Sequence, residues 1–307
     1  MRLLVVGAGA TGGYFGGRLA AAGRDVTFLV RPRRAAELDA KGLAIVSPHG
    51  DLVLKPDLVT AGRITGPYDV ILLSVKAYAL EPALDDLARA VGPQTMIVPL
   101  LNGMRHMDVI ATRFGEQVLL GGVCRIAATI DAEGRIAQLA KFHELVYGER
   151  DGQPSERTAA LHAFMSGAGF DAKLSPAISR EMWEKWAFLA TLGGITCLMR
   201  GSVGEIAAAA GGPDFVARFF DEVAAVVRAV GVAPSPEFLV HARGQVTAPG
   251  SPLTASMFRD LQAGGPIEAD QILGDLVARA RAAGLEAPLV SAAYTQLSVH
   301  QNRRGTG

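Results

Sequence analysis

The chain opens with an apolar run at residues 3–6 (Leu-Leu-Val-Val) that ends on glycines, the pattern of a strand buried on both faces of a sheet. Residues 10–22 follow with helical spacing and stop at Gly23, and residues 25–30 (Asp-Val-Thr-Phe-Leu-Val) read as a second strand. A short helix over 34–41 ends at Gly42. The runs 43–46 and 52–54 flank Ser47-Pro48-His49-Gly50 and predict a hairpin. The alternation continues with a strand at 69–75, a helix at 80–91, and strands at 95–100 and 118–123. From Arg125 to Tyr147 short alternating stretches around Asp131-Ala132-Glu133-Gly134 predict an antiparallel extension, and 155–167 returns to helix.

Beyond Leu174-Ser175-Pro176 strand signals nearly vanish. Residues 213–230 repeat apolar positions at helical spacing (Phe215, Phe219, Val223, Val226, Val227, Val230) and stop at Gly231. Ser235-Pro236 is a helix start, a cap followed by proline in the first turn. Helices are also predicted over 267–283 and 289–300, with a frayed tail over 302–307. The expected fold class is α/β: a doubly wound, mostly parallel sheet in an N-terminal domain, residues 1–174, followed by an all-helical domain, residues 175–307.

Length and composition agree with two packed domains. The chain has 307 residues, half of them hydrophobic and 20% charged, which excludes intrinsic disorder. Lys+Arg and Asp+Glu are both 30, so no net charge draws the whole molecule to nucleic acid or to an anionic membrane. Cys124 and Cys197 form no disulfide framework and lack metal-ligand spacing, which suits a reducing compartment. The six histidines are scattered, without the spacing of a metal site. The uncharged run from Trp186 to Met199 has 14 residues where a membrane-spanning helix needs roughly 20. A cytoplasmic protein is expected, and the apolar helical half is compatible with a homodimer.

Gly7-Ala8-Gly9-Ala10-Thr11-Gly12 is a Gly-x-Gly-x-x-Gly placed directly after a strand and opening a helix. Its glycines supply a tight turn, room for a diphosphate against bare backbone, and close helix–strand packing, while the helix N-terminus offers unpaired N–H groups. A glycine turn without a ligand is the bland alternative, and the strand–helix–strand context argues for a Rossmann-type dinucleotide site. The end of the second strand selects the nucleotide. In place of the Asp or Glu that binds a ribose 2′-hydroxyl, the sequence reads Val30-Arg31-Pro32-Arg33-Arg34. A guanidinium there pairs with a 2′-phosphate, which points to NADPH with Arg31 as its main reader. A solvated basic loop is the alternative.

Reduction of a carbonyl needs a group that stabilises the developing alkoxide and supplies its proton. Lys185 stands out, on a mostly apolar helix between Trp183 and Trp186, the only two tryptophans. From spacing alone the favoured reading is a lysine whose stem covers apolar surface while its amine reaches water.

Five segments in order now carry a resemblance: Gly7-Ala8-Gly9-Ala10-Thr11-Gly12; Leu73-Ser74-Val75-Lys76; Leu101-Asn102-Gly103-Met104; Trp183 with Lys185; and Ser256-Met257-Phe258-Arg259-Asp260 followed by Ile267-Glu268-Ala269-Asp270. Together they resemble the ketopantoate reductases (2-dehydropantoate 2-reductases) over nearly the whole chain. The resemblance implies NADPH-dependent reduction of ketopantoate to pantoate. It further implies that Lys185 is the catalytic proton donor, that Glu268 hydrogen-bonds at the substrate and holds the arrangement, and that Ser256 contacts the substrate carboxylate. Lys76 and Asn102 match positions near the nicotinamide. Glu268 alone would read as a solvent-facing acid in the first turn of a helix after Pro266.

The chain departs from that family at two positions. Asn is usual four and eight residues after the catalytic lysine, on the same helix face, and here the residues are Leu189 and Gly193. The cofactor half of the resemblance is intact and the substrate half altered, which leaves open a less polar 2-oxoacid or a related ketone as the substrate, or ketopantoate as a poor one. Two other readings stand beside this one. A 3-hydroxyacid dehydrogenase also joins such a domain to a helical one with a lysine, but Leu189 replaces its usual Asn. A noncatalytic NADPH-binding sensor is favoured by Leu189 and Gly193 and opposed by Lys185 and Glu268.

Overall fold

The computed structural model describes residues 1–305. They form two compact units, Met1–Leu101 with His106–Ser179, and Asn102–Arg105 with the residues from Arg180 on.

The first unit begins with β1 (Arg2–Val6), α1 (Ala10–Ala21), β2 (Asp25–Leu29), α2 (Pro32–Lys41), β3 (Leu43–Val46), β4 (Leu52–Leu54) and β5 (Asp57–Val59). It continues with β6 (Val70–Leu73), α3 (Leu80–Leu87), β7 (Met96–Pro99), α4 (Arg105–Phe114), β8 (Gly121–Ile130), β9 (Ile136–Gly148), α5 (Glu156–Met165) and β10 (Asp171–Leu174). Five strands in the order β5-β2-β1-β6-β7 make a wholly parallel sheet. The chain winds outward from β1 through β2 to β5, then returns to β6 and winds the other way. The direction of winding therefore reverses between β1 and β6, which is where open α/β sheets bind ligands, at the carboxyl ends of the strands.

A single sheet is what the strand–helix alternation predicts, and here the structure differs. The hairpin β3–β4 leaves the parallel sheet and joins β8, β9 and β10 in a second one. The 13-residue β9 carries β8 antiparallel on one edge, as expected, and β3 and β10 in succession on the other. The physical reason lies in α1. A Cβ at Gly16 would stand 2.8 Å from Val5 and Phe28 of the parallel sheet, whereas one at Gly17 would stand 2.6 Å from Leu43 and 2.9 Å from Ile45 of the second sheet. Having glycine on both faces, the helix admits a sheet on each side. Runs of three or four apolar residues do not announce which sheet they join.

Smaller differences have local causes. The strand expected from Val118 starts at Gly121 after a 3₁₀ turn, Glu116–Val118. The helix expected to reach Val91 tightens into a 3₁₀ turn at Ala88–Ala90. The strands β5 and β10 and the helix α4 escape the hydrophobic pattern, because the strands are short with half-exposed residues and the helix follows a glycine-containing loop.

The second unit is all helical: α6 (Ile178–Met199), α7 (Val203–Ala208), α8 (Gly212–Val230), α9 (Pro236–Val246), α10 (Ser256–Gln262), α11 (Asp275–Ala282) and α12 (Pro288–Gly305). One helix start is capped as its Ser-Pro pair predicts, and another carries a capping pair that was not read from the sequence. Ser235 accepts from the Phe238 N–H at 3.2 Å with Pro236 in the first turn of α9, and Ser202 and Glu205 form a reciprocal capping box on α7. The continuous helix expected over 267–283 is instead a π-helical turn, Asp270–Gly274, leading into α11. The tail expected to fray is helical to Gly305, and Thr306 and Gly307 lie outside the described residues. No helix among the described residues is long and apolar enough to cross a membrane.

Candidate active site

In the first unit the site grows from the end of β1. Gly7 takes a φ of +95°, a conformation open to glycine and costly for other residues, and its N–H donates to Leu29 O of β2 at 3.2 Å. Gly9 is the N-cap of α1, with extended backbone and no side chain over the helix end, and a Cβ there would meet nothing within 4 Å. The first turn of α1 holds no acidic residue. Neither a side-chain cap nor an acidic residue therefore competes for its first N–H groups and positive dipole end, as an anionic diphosphate requires. Gly12 does the opposite job: a Cβ there would overlap the Ser74 hydroxyl and the Gly7 carbonyl. Ser74 in turn holds its Oγ 3.0 Å from both Val6 O and Gly7 O, bolting the turn to the end of β6. Ala8 is buried, and Ala10 and Thr11 are half-buried at the helix start. The residues present fit a dinucleotide diphosphate.

Arg31 closes β2 as the exposed N-cap of α2. Arg33 and Arg34 both pair with Glu37 at 3.2 Å, and the hydrogen bond from Arg34 chiefly holds that carboxyl below its usual value. Arg31 makes no ion pair among the described residues, so of the three guanidiniums it is the one not engaged by Glu37. Lys76 is exposed just after β6, at the start of the 3₁₀ turn Ala77–Ala79. The glycine turn, Arg31 and Lys76 thus gather at the carboxyl ends of β1, β2 and β6.

The other expected site residues lie in the second unit, Asn102 among them. Lys185 is half-buried on α6. The neighbouring Trp186 is fully buried, and its indole N–H donates to Ile272 O at 3.0 Å inside the π-helical turn. Trp183 and Trp186 pack with ring centroids 5.4 Å apart, and the Arg279 guanidinium lies over both, at 5.8 and 5.9 Å. Glu268 is not the solvent-facing acid that its place after Pro266 suggests: it is only 7% exposed. Its carbonyl accepts from the N–H of Ile272 at 3.0 Å, so the segment carrying Glu268 and the helix carrying Lys185 are tied to one residue. Gln271 Nε2 donates to Asn102 O at 3.0 Å, which fixes Asn102 to the same turn. Ser256 opens α10 and is exposed, and the adjacent Met257 presses on α6 at Gly193, where a Cβ would stand 2.8 Å from Met257 Cε. The segments carrying Ser256, Lys185, Glu268 and Asn102 are therefore linked in series, through Met257 against Gly193, Trp186 to Ile272 and Gln271 to Asn102.

Sequence reasoning passed over Ser74, Ile272, Gln271 and Met257. Each lies inside or beside a quoted segment: Ser74 and Gln271 act by side-chain hydrogen bonds to backbone carbonyls, Ile272 through its backbone and Met257 by apolar contact, and none of these leaves a chemical signature in sequence. Burial pushes the Cys197 thiol up to about 12, so it is no nucleophile near neutral pH. Among the described residues no group of three His, Cys, Asp or Glu could hold a metal ion.

Two family models match the chain: "Ketopantoate reductase PanE/ApbA" over residues 3–152 and "Ketopantoate reductase PanE/ApbA C terminal" over residues 177–301. The chain is 35% identical over 301 residues to the uncharacterized oxidoreductase YkpB of Bacillus subtilis (strain 168), covering 98% of this chain and 99% of that protein. It is 28% identical to the solved 2-dehydropantoate 2-reductase from Geobacter metallireducens GS-15, with a TM-score of 0.86 over 97% of this chain and 99% of the other. It also shares its fold, at 21% identity and a TM-score of 0.86 over 99% of each chain, with D-mandelate dehydrogenase solved with NADH and anilino(oxo)acetate. The chain belongs to the ketopantoate reductase family of oxidoreductases, and its α/β unit followed by a helical unit is the family's fold.

Proposed function

We propose that the protein is a cytoplasmic NADPH-dependent reductase of 2-oxoacids, acting on ketopantoate or a related compound, with Lys185 as the general acid. The observation that carries the reading is the open glycine turn in a chain whose two halves both match the reductase family. Gly7, Gly9 and Gly12 with the N–H groups of Ala10 and Thr11 hold the diphosphate, and Arg31 pairs with the 2′-phosphate. Lys76 and Asn102 flank the nicotinamide. When bound, the reduced nicotinamide supplies a hydride to the carbonyl carbon of the substrate.

The protein's own part is to hold the substrate and move a proton. Ser256 hydrogen-bonds the substrate carboxylate. The Lys185 ammonium hydrogen-bonds the carbonyl oxygen, polarises it, and gives it a proton as the alkoxide develops; the neutral amine regains a proton from water. Glu268, shielded from solvent, orients that ammonium by charge and hydrogen bond. The products are a 2-hydroxyacid and the oxidised dinucleotide.

NADPH oxidation with a panel of 2-oxoacids tests the reading. Lys185→Ala is expected to lower kcat about 10²- to 10⁴-fold while leaving NADPH affinity unchanged. Tight NADPH binding without turnover of any member would instead favour a noncatalytic sensor.

A further inference from the structure

Arg31 is the N-cap of α2, and Arg33, Arg34 and Glu37 follow inside its first two turns. The i,i+4 and i,i+3 spacings bring Glu37 beside both of the later arginines. Its two oxygens are divided between them: Arg33 Nε lies 3.2 Å from Oε1 and Arg34 Nη1 lies 3.2 Å from Oε2. The cluster is open to solvent, with the Arg33 side chain 93% exposed and Glu37 half-exposed. Arg34 is half-buried beside the β8–β9 turn, where a Cβ on Gly134 would stand 3.9 Å from its Nη1. The acids of that turn are otherwise occupied: Asp131 and Glu133 both pair with Arg135. Glu37 is thus the carboxylate that claims Arg33 and Arg34, one residue pair away from an Arg31 that it leaves alone.

We infer that Glu37 limits how strongly the protein prefers a 2′-phosphorylated dinucleotide, by holding Arg33 and Arg34 back from the phosphate that Arg31 reads. This rests on the reading of Arg31 as the partner of the 2′-phosphate. A phosphate beside Arg31 attracts the two neighbouring guanidiniums, but each can turn to it only by giving up its hydrogen bond to Glu37. The carboxylate also opposes the phosphate directly, as a like charge on the same two turns of helix. With Glu37 in place, recognition falls to one arginine; with its charge removed, three are available. Glu37 acts through the arginines and is a positioning residue.

Calorimetric titration of the protein with NADPH and with NADH, which differ by the 2′-phosphate alone, tests the idea without turnover. The readout is the Kd for NADH divided by the Kd for NADPH. Glu37→Gln keeps the size and polarity of an accessible side chain and removes its charge. It is expected to raise the ratio about 3- to 10-fold, the worth of releasing two solvent-accessible ion pairs, through tighter NADPH binding and with NADH unchanged. The gain is expected to shrink at about 0.5 M salt, where exposed charges are screened. Adding Arg33→Ala and Arg34→Ala to Glu37→Gln is expected to abolish it. A ratio unmoved or lowered by Glu37→Gln, an equal change for both dinucleotides, or a gain that survives loss of both arginines overturns the inference while leaving Arg31 its role. Equal Kd values in the wild type, unmoved by these variants and by Arg31→Ala, overturn the 2′-phosphate reading itself.

Discussion

The hydroxyl of Tyr14, on the helix that opens the glycine turn, lies 2.7 Å from Nδ1 of His143 on β9. The same hydroxyl donates to Gln138 Oε1 at 2.9 Å, so its single proton is spent there and it accepts from His143. His143 is only 8% exposed, and its ring stacks on His49 from the β3–β4 turn with centroids 3.7 Å apart. A buried polar chain thus joins α1 to the second sheet.

Tyr14→Phe leaves the fold's shape intact but strips His143 Nδ1 and Gln138 Oε1 of a partner. A loss of about 1–3 kcal/mol is expected, read as a lower denaturant midpoint at unchanged slope.

The same chain gives stability a pH dependence. Burial first, then the neighbouring His49 and Arg18, holds His143 below the usual histidine value, with Asp171 opposing. A histidine depressed in the fold binds its proton more readily in the unfolded chain. Stability is therefore full above about pH 6.5 and falls as pH drops below it. His143→Asn is expected to flatten that slope between pH 5 and 7, measured by denaturant unfolding; an unchanged slope would assign the titration elsewhere.

Gly9 and Gly12 respond differently to alanine. Gly12→Ala collides with the Gly7 carbonyl as well as Ser74, so both thermal stability and NADPH affinity fall, and adding Ser74→Ala does not rescue them. Gly9→Ala meets open space, keeps its melting temperature, and weakens NADPH binding alone. Calorimetry and titration on the same samples separate the two.

Arg31→Ala is expected to raise KM for NADPH about 10- to 100-fold while barely changing that for NADH, the worth of a charge-assisted contact to the 2′-phosphate. Equal effects on both dinucleotides would remove Arg31 from that role.

Much of this was legible in the chain itself. The glycine turn, the strand before it and the Ser235-Pro236 helix start follow from local chemistry, which sequence carries directly. The departure of β3 and β4 into a second sheet was not legible, because it depends on the Leu43 and Ile45 side chains meeting bare glycine on a helix more than two dozen residues earlier. The burial of Glu268 was not legible from its neighbourhood alone: Pro266 signals a helix start in water, whereas the residue is only 7% exposed, just before the π-helical turn. Met257 reads as ordinary core until Gly193 is seen against it.

A helix gripped from both sides has no soft direction in which to yield. Because α1 is seated between two sheets, strands as distant in sequence as β9 set the aim of its first turn. Damage to the outer sheet, far from any nucleotide, would therefore register first as poorer cofactor retention and only later as unfolding.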